Sequence, residues 1–336
     1  MRRYPLKLIF AAVILFFFVA GEAHYLYASR GSEVPDPPRL QSKYLKKEKA
    51  EWSETVDKLG AKVAYQKFVE TYSKLSPGSA HSLAHVFGEI LYEKEGLPGV
   101  AVCDSSFGFG CYHSFFGRAI SEHGVEVLGE LDRACVEAWG EKGLGCSHGI
   151  GHGLLWSVGD DKLKEALDIC TTLTWKGPIG GCSGGVFMEY NFHTMADPDL
   201  TSPRVFDPET AHAPCDALTI YREACYFDMP QWWMRTFNGD AAPAASLCAE
   251  VSVKNEREAC FKGIGNIVAP ESGYDVGKSL AVCDSFAGAE ERLLCRQGAS
   301  WSFFAEPRMR DLSPQLCVGL SEDARQSCVA GSQIIR

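Results

Sequence analysis

Five of the nine histidines stand at matching places in three successive stretches of this chain. His113 and His148 each follow a cysteine by two residues, Cys111 and Cys146, and His152 follows His148 by four. Setting Ser79 where a cysteine would stand puts His81 and His85 at the same two places. On a helix, residues i and i+4 share a face, so two H-x-x-x-H pairs would flank a single histidine. Helices packed side by side lie about 8–10 Å apart, near enough for imidazoles on facing positions to meet on one ion. Such donors suit zinc, iron, copper or nickel, and spacing does not choose among them. Glu89 extends the first stripe at i+8, and Glu189, in the next equivalent stretch, offers an oxygen ligand. The candidate metal ligands are therefore His81, His85, His113, His148, His152, Glu89 and Glu189. His193, near Glu189, is an outlying candidate, whereas His24, His123 and His212 follow no pattern.

These donors fit either metal handling or metal-dependent catalysis. A carboxylate beside a metal-bound water would act as general base in a hydrolase, and the same donors also suit a redox site. The competing readings are histidines copied with a repeat and used only for packing, or a polar binding surface without metal. Three glycines, Gly149, Gly151 and Gly153, alternate around His148 and His152 in CSHGIGHGLL. They weaken a helix and call for a reason: room for an ion, a substrate or a neighbouring helix. GGCSGG (residues 180–185) lacks the lysine of a phosphate-binding loop and the serine elbow of a hydrolase. FDMPQWWMRTF (residues 227–237) reads as core, with Trp232 or Trp233 able to line a groove.

What must position these residues is set by the cysteines. Fourteen occur as tandem pairs: Cys103 with Cys111, Cys135 with Cys146, Cys170 with Cys182, Cys215 with Cys225, Cys248 with Cys260, Cys283 with Cys295 and Cys317 with Cys328. Second cysteines of successive pairs are 35, 36, 43, 35, 35 and 33 residues apart. That period is the mark of a helical repeat array, in which each unit buries its apolar face on its neighbours. Residues 160–173 (DDKLKEALDICTTL) read as an amphipathic helix, followed by a Gly/Pro turn and a more apolar helix opening at Cys182. The phrase returns as LDRACVEAW, AASLCAEV and KSLAVCDSF. Each pair is thus expected to staple an A helix to a B helix. Residues 49–93 make a first, cysteine-free hairpin with the turn Ser76-Pro-Gly-Ser79. The expectation is an all-α solenoid of about eight αα-hairpins over residues 49–336, one disulfide in each but the first, elongated as a single domain. An insertion at residues 195–208 accounts for the 43-residue interval. Gly149, Gly185, Gly263, Gly298 and Gly331 each follow a second cysteine by three places, which suggests close helix approach there.

Paired cysteines stapling αα-hairpins of this period resemble the disulfide-rich Sel1-like, TPR-like repeat proteins, notably the Helicobacter cysteine-rich type. Cys103-DSSFGFG-Cys111 has that family's tight spacing, while the other pairs are wider and the usual alanine and tyrosine signature is not evident. The resemblance covers roughly residues 60–336. It implies an exported helical solenoid and a binding role, and it assigns no site residue.

Matched cysteine pairs persist outside the reducing cytosol. Arg2, Arg3 and Lys7 precede an uncharged 14-residue run, LIFAAVILFFFVAG. That describes a signal peptide cleaved after Ala23 or a signal anchor prolonged by residues 24–27, HYLY. Residues 28–48 read as a basic, proline-rich linker. Residues 30–49 carry a net charge of +3, and residues 50–336 a net charge of −15. A basic stalk suits an anionic membrane, and an acidic body excludes nucleic acid as a partner. The expectation is an extracytoplasmic chain (periplasm, cell surface or secretory lumen), membrane-tethered or secreted. Its function is either the metal site or an envelope scaffold whose concave face takes a protein or peptide.

Overall fold

The computed structural model describes residues 42–140, 143–194 and 204–332, all helix, turn and loop with no strand among them. The signal segment, most of the linker and most of the insertion lie outside the described residues. Among those described, no helix is long and apolar enough to cross a membrane.

Eight hairpins follow one another. The first pairs α1 (Ser42–Leu59) and α2 (Ala61–Tyr72) with α3 (Pro77–Glu95). Its A arm breaks at Gly60, whose φ of 78° a helix cannot hold, and α1 takes in residues 42–48 of the segment read as linker. The remaining B helices are α4 (Gly110–His123), α6 (Leu144–Val158), α8 (Gly181–Phe192), α9 (Arg222–Thr236), α11 (Lys254–Glu271), α13 (Ala289–Ala305) and α14 (Glu322–Ser332). Four of their A arms are the α-helices α5 (Leu128–Trp139), α7 (Leu163–Cys170), α10 (Ala241–Glu250) and α12 (Val276–Asp284). The other three are 3₁₀ turns, at Leu97–Val102, at Pro208–Thr210 with Cys215–Ala217, and at Arg310–Cys317. Each of these carries proline (Pro98, Pro208 and Pro214, Pro314), which removes a backbone donor and shortens any helix it interrupts. The expected eight hairpins are present, and three of them have this reduced arm.

All seven disulfides join the expected partners within a hairpin. Cys103 is bonded to Cys111, Cys135 to Cys146, Cys170 to Cys182, Cys215 to Cys225, Cys248 to Cys260, Cys283 to Cys295 and Cys317 to Cys328. No cysteine is free. In six of the seven stapled hairpins the second cysteine lies in the first half of its B helix, as Cys225 does in α9, Cys260 in α11 and Cys295 in α13, and Cys328 sits just past the middle of α14, so the staple fixes where that helix meets its A arm. Closing loops of this size stabilises each hairpin by about 2.5–3 kcal/mol in the chain-entropy view. Seven such bonds point to an oxidising, extracytoplasmic setting.

Successive B helices pack directly on one another. The recurrent glycines make this possible, because a methyl at Gly185 would collide with the carbonyl oxygen of His148, and one at Gly151 with that of Cys182. Gly265 and Gly298 repeat the arrangement between α11 and α13. Of the three reasons open for CSHGIGHGLL, the structure selects the neighbouring helix: Gly149 and Gly153 also lie against α4, on Tyr112, Phe116 and Ile120.

The array does not run straight. It curls until the seventh hairpin meets the first two, which replaces the elongated form expected from sequence. Ser105 donates to the carbonyl of Ala305, Phe107 N–H to Glu306 Oε2 at 3.0 Å, and Arg308 to the carbonyl of Ser73 at 2.7 Å. Arg308 also stacks over the Phe107 ring at 4.5 Å. The curl forms a half-open cavity of about 480 Å³.

Candidate metal centre

Stacking the B helices lays His81 and His85 of α3, His113 of α4, and His148 and His152 of α6 side by side. His81 Nε2 and His85 Nε2 are 3.1 Å apart, and His85 Nε2 lies 3.3 Å from His113 Nδ1. On the other side, His148 Nε2 and His152 Nε2 are 3.0 Å apart. The rings of His113 and His152 approach to 4.0 Å between centroids. Two trios result, one of His81, His85 and His113, the other of His113, His148 and His152, and within each the ligand atoms lie within 4.8 Å of one another. Three nitrogens bound tetrahedrally at ~2.0–2.1 Å from a zinc ion stand roughly 3.3–3.4 Å apart. The closest pairs in both trios are already near that separation.

The orientation of the rings is fixed from behind. His81 Nδ1 donates to the carbonyl of Phe107 at 2.8 Å, which leaves Nε2 as the lone-pair nitrogen facing His85. His152 Nδ1 faces Glu189 Oε2 at 3.0 Å, and Thr194 Oγ1 bonds both. A carboxylate behind the imidazole fixes the tautomer and raises the basicity of the far nitrogen, the usual arrangement behind a metal ligand. Glu189 is 1% exposed, and His113 and His152 are fully buried. His113 Nε2 is buried with no hydrogen-bond partner.

Burial holds all five imidazoles neutral. It depresses His85, His113 and His152 well below the usual histidine range and brings His148 down to about 4. Burial also lowers His81, against the opposing pull of the Phe107 carbonyl. Neutral imidazoles are the form that ligates a metal.

Of the two carboxylates proposed as ligands, Glu189 lies on the far nitrogen of His152, behind the ring rather than among the ligand nitrogens. Glu89 does not reach the histidines and pairs with Lys49 at 2.8 Å. Eight residues at ~100° each turn a helix position about 80° past the starting stripe, whereas four turn it only about 40°. His193 caps α8 and bonds Asp160 at 2.5 Å, away from the trios. His212 pairs with Glu250, and His123 lies near Glu122 at the surface. Trp232 and Trp233 are core, the latter donating to the Ala211 carbonyl at 3.1 Å.

Sequence reasoning missed three things. Asp228 faces the cavity with Oδ2 buried and unpartnered, and burial raises its carboxyl well above the usual range. The only signal was an acid set inside the apolar run FDMPQWWM. The loop at residues 104–109 was the second, for Phe107 and Phe109 hold positive φ (56° and 67°) and line the cavity. Left-handed backbone at a bulky residue costs on the order of 1–3 kcal/mol. The bond between Cys103 and Cys111, together with Glu306 and Arg308, holds it in place. The third was the cavity itself, which His81 and His148, one from each trio, help to line beside Phe227, Trp301 and Tyr274.

No family model, curated protein or solved structure matches the chain. The likeness to cysteine-rich helical repeat proteins therefore rests on architecture: repeated helix pairs, each pair after the first closed by a disulfide.

Proposed function

We propose that this protein is an extracytoplasmic, membrane-tethered solenoid that holds a transition metal on the B-helix histidines and presents it to a small molecule in the central cavity. The observation that carries the reading is the convergence of ring nitrogens, at 3.0–3.3 Å within α3, between α3 and α4 and within α6, with His113 and the α6 pair gathered within 4.8 Å. They are neutral, and two of them are oriented from behind by Phe107 and Glu189. Packing alone does not require buried imidazole nitrogens to face one another, because mutual approach leaves lone pairs competing for too few protons. A metal ion satisfies the lone pairs of the trio that holds it.

The cavity supplies the second half of the reading. Its volume of about 480 Å³ falls in the ordinary range for small-molecule sites and is too small for a folded partner. Because His81 and His148 reach its wall, an ion on either trio would have an open position facing the space, as catalytic metal sites do and structural ones do not. Asp228, on the same wall, is placed to hold or transfer a proton to whatever binds there. Zinc, iron, copper and nickel all accept such donors.

The test is elemental analysis of the full chain purified with its disulfides intact, beside His148→Ala. Bound transition metal in the parent and a reduced content in the variant are expected. A parent chain that carries no metal, and takes up neither zinc nor copper when they are added, would sink the proposal.

A further inference from the structure

We infer that the site is dinuclear, with the imidazole of His113 bridging two ions, one in each trio. The inference rests on the metal reading above and goes one step past it, from presence to number and connection.

Among the described residues the two trios share His113 alone. A single ion would have to choose between them, since the five ligand atoms do not gather within one 4.8 Å group. His113 is built for both sides. Its Nδ1 faces the first trio at 3.3 Å from His85 Nε2. Its ring lies 4.0 Å from that of His152 and 5.8 Å from that of His148. Nε2 is fully buried and bonded to nothing in the protein. A neutral imidazole held only for packing would turn its second nitrogen to a partner, as His81 does with Phe107 and His152 with Glu189. His113 is the one histidine of the five whose ring is flanked by other cluster histidines on both sides, along α3 and along α6.

The charge is consistent with a bridge. Two divalent ions in a buried wall need negative charge nearby, and the buried carboxylate of Glu189 lies there, on His152. On binding the second ion His113 gives up its remaining ring proton to solvent. Its imidazolate then donates one lone pair to each metal. Bonds of ~2.0–2.1 Å from opposite ring nitrogens put the ions roughly 6 Å apart, so each keeps its own pair of histidines.

The experiment is metal loading of the full, disulfide-intact chain, with zinc for stoichiometry and Cu(II) for spectroscopy. Two zinc ions per chain are expected in the parent and one each in His81→Ala and His148→Ala, which remove a ligand from one trio only. Cu(II)-loaded parent should give an electron paramagnetic resonance signal integrating to well under its copper content, because spins joined through one imidazolate couple. One ion per chain in the parent would overturn the bridge and leave the metal reading standing. Two ions with independent, fully intense Cu(II) signals would also overturn it. No bound metal at all would remove the reading on which it depends.

Discussion

Replacing Gly185 with alanine sets two well-measured effects against each other. Inside a helix, glycine to alanine is worth about 1 kcal/mol in favour of the folded state, from propensity alone. At Gly185 the new methyl meets the carbonyl oxygen of His148 and the amide nitrogen of His152, both backbone, so no rotamer change relieves it. Overpacking of this kind typically costs about 1–3 kcal/mol, toward the upper end where the backbone must move. The net expectation is a destabilisation of roughly 1–2 kcal/mol, or a few degrees in Tm for a chain of this size. The shift must also part α6 from α8, and so draw Glu189 off His152. Gly129 supplies the control: it is exposed on α5, and a methyl there meets nothing within 4 Å. Gly129→Ala should raise stability by up to about 1 kcal/mol. Urea unfolding of the two variants under oxidising conditions, with and without metal, decides the matter. A Gly185→Ala protein as stable as its parent would mean that the helices do not approach as closely as described, and the alignment of histidines across them would lose its support.

Two further outcomes are expected. Glu189→Gln keeps an oxygen for His152 Nδ1 but removes the charge, and competition against a chromophoric chelator should record a roughly 10–100-fold loss of metal affinity; unchanged affinity would separate Glu189 from the site. Metal-free protein should lose stability as pH falls from about 6.5 toward 4. The buried histidines have folded pKa values below their unfolded value, so in that window the unfolded chain binds more protons, and stability is greatest above it. For His148, at about 4 in the folded state, the loss is on the order of 3–3.5 kcal/mol at its limit. Asp228 runs the other way, since a carboxyl raised by burial favours folding in acid, so the measurement belongs on Asp228→Asn. A flat profile there from about pH 7.5 to 5 would refute the burial of the cluster.

Much of this arrangement is readable from residue spacing because the repeat reduces a three-dimensional question to a one-dimensional one. Once Cys111 and Cys146 mark equivalent positions, His113 and His148 must lie beside each other wherever B helices stack, and Ser79 carries the register back to His81 and His85. Glu89 escaped that logic because helical drift over eight residues outweighs sequence proximity. Asp228 and the cavity escaped it for a different reason. They depend on how far each hairpin is rotated against the last: the recurring glycines announce close helix approach, but not the angle that accumulates from it over seven hairpins. The 3₁₀ arms at Leu97–Val102 and Arg310–Cys317 were hidden because cysteine spacing constrains the staple, not the helicity of the arm it holds.

The confinement of every disulfide to its own hairpin also bears on how the chain matures. As an exported polypeptide emerges from its N-terminal end, each cysteine meets its proper partner 8 to 12 residues later. Loops that short close in well under a microsecond. Oxidation can therefore proceed hairpin by hairpin in the order of emergence, with little call for shuffling by an isomerase. Closure of the curl is different in kind, for Arg308 meets Ser73 across 235 residues and has to wait for nearly the whole chain. Until then the wall that carries His81 and His148 faces the surrounding fluid along its length, and only the completed chain turns it onto the cavity.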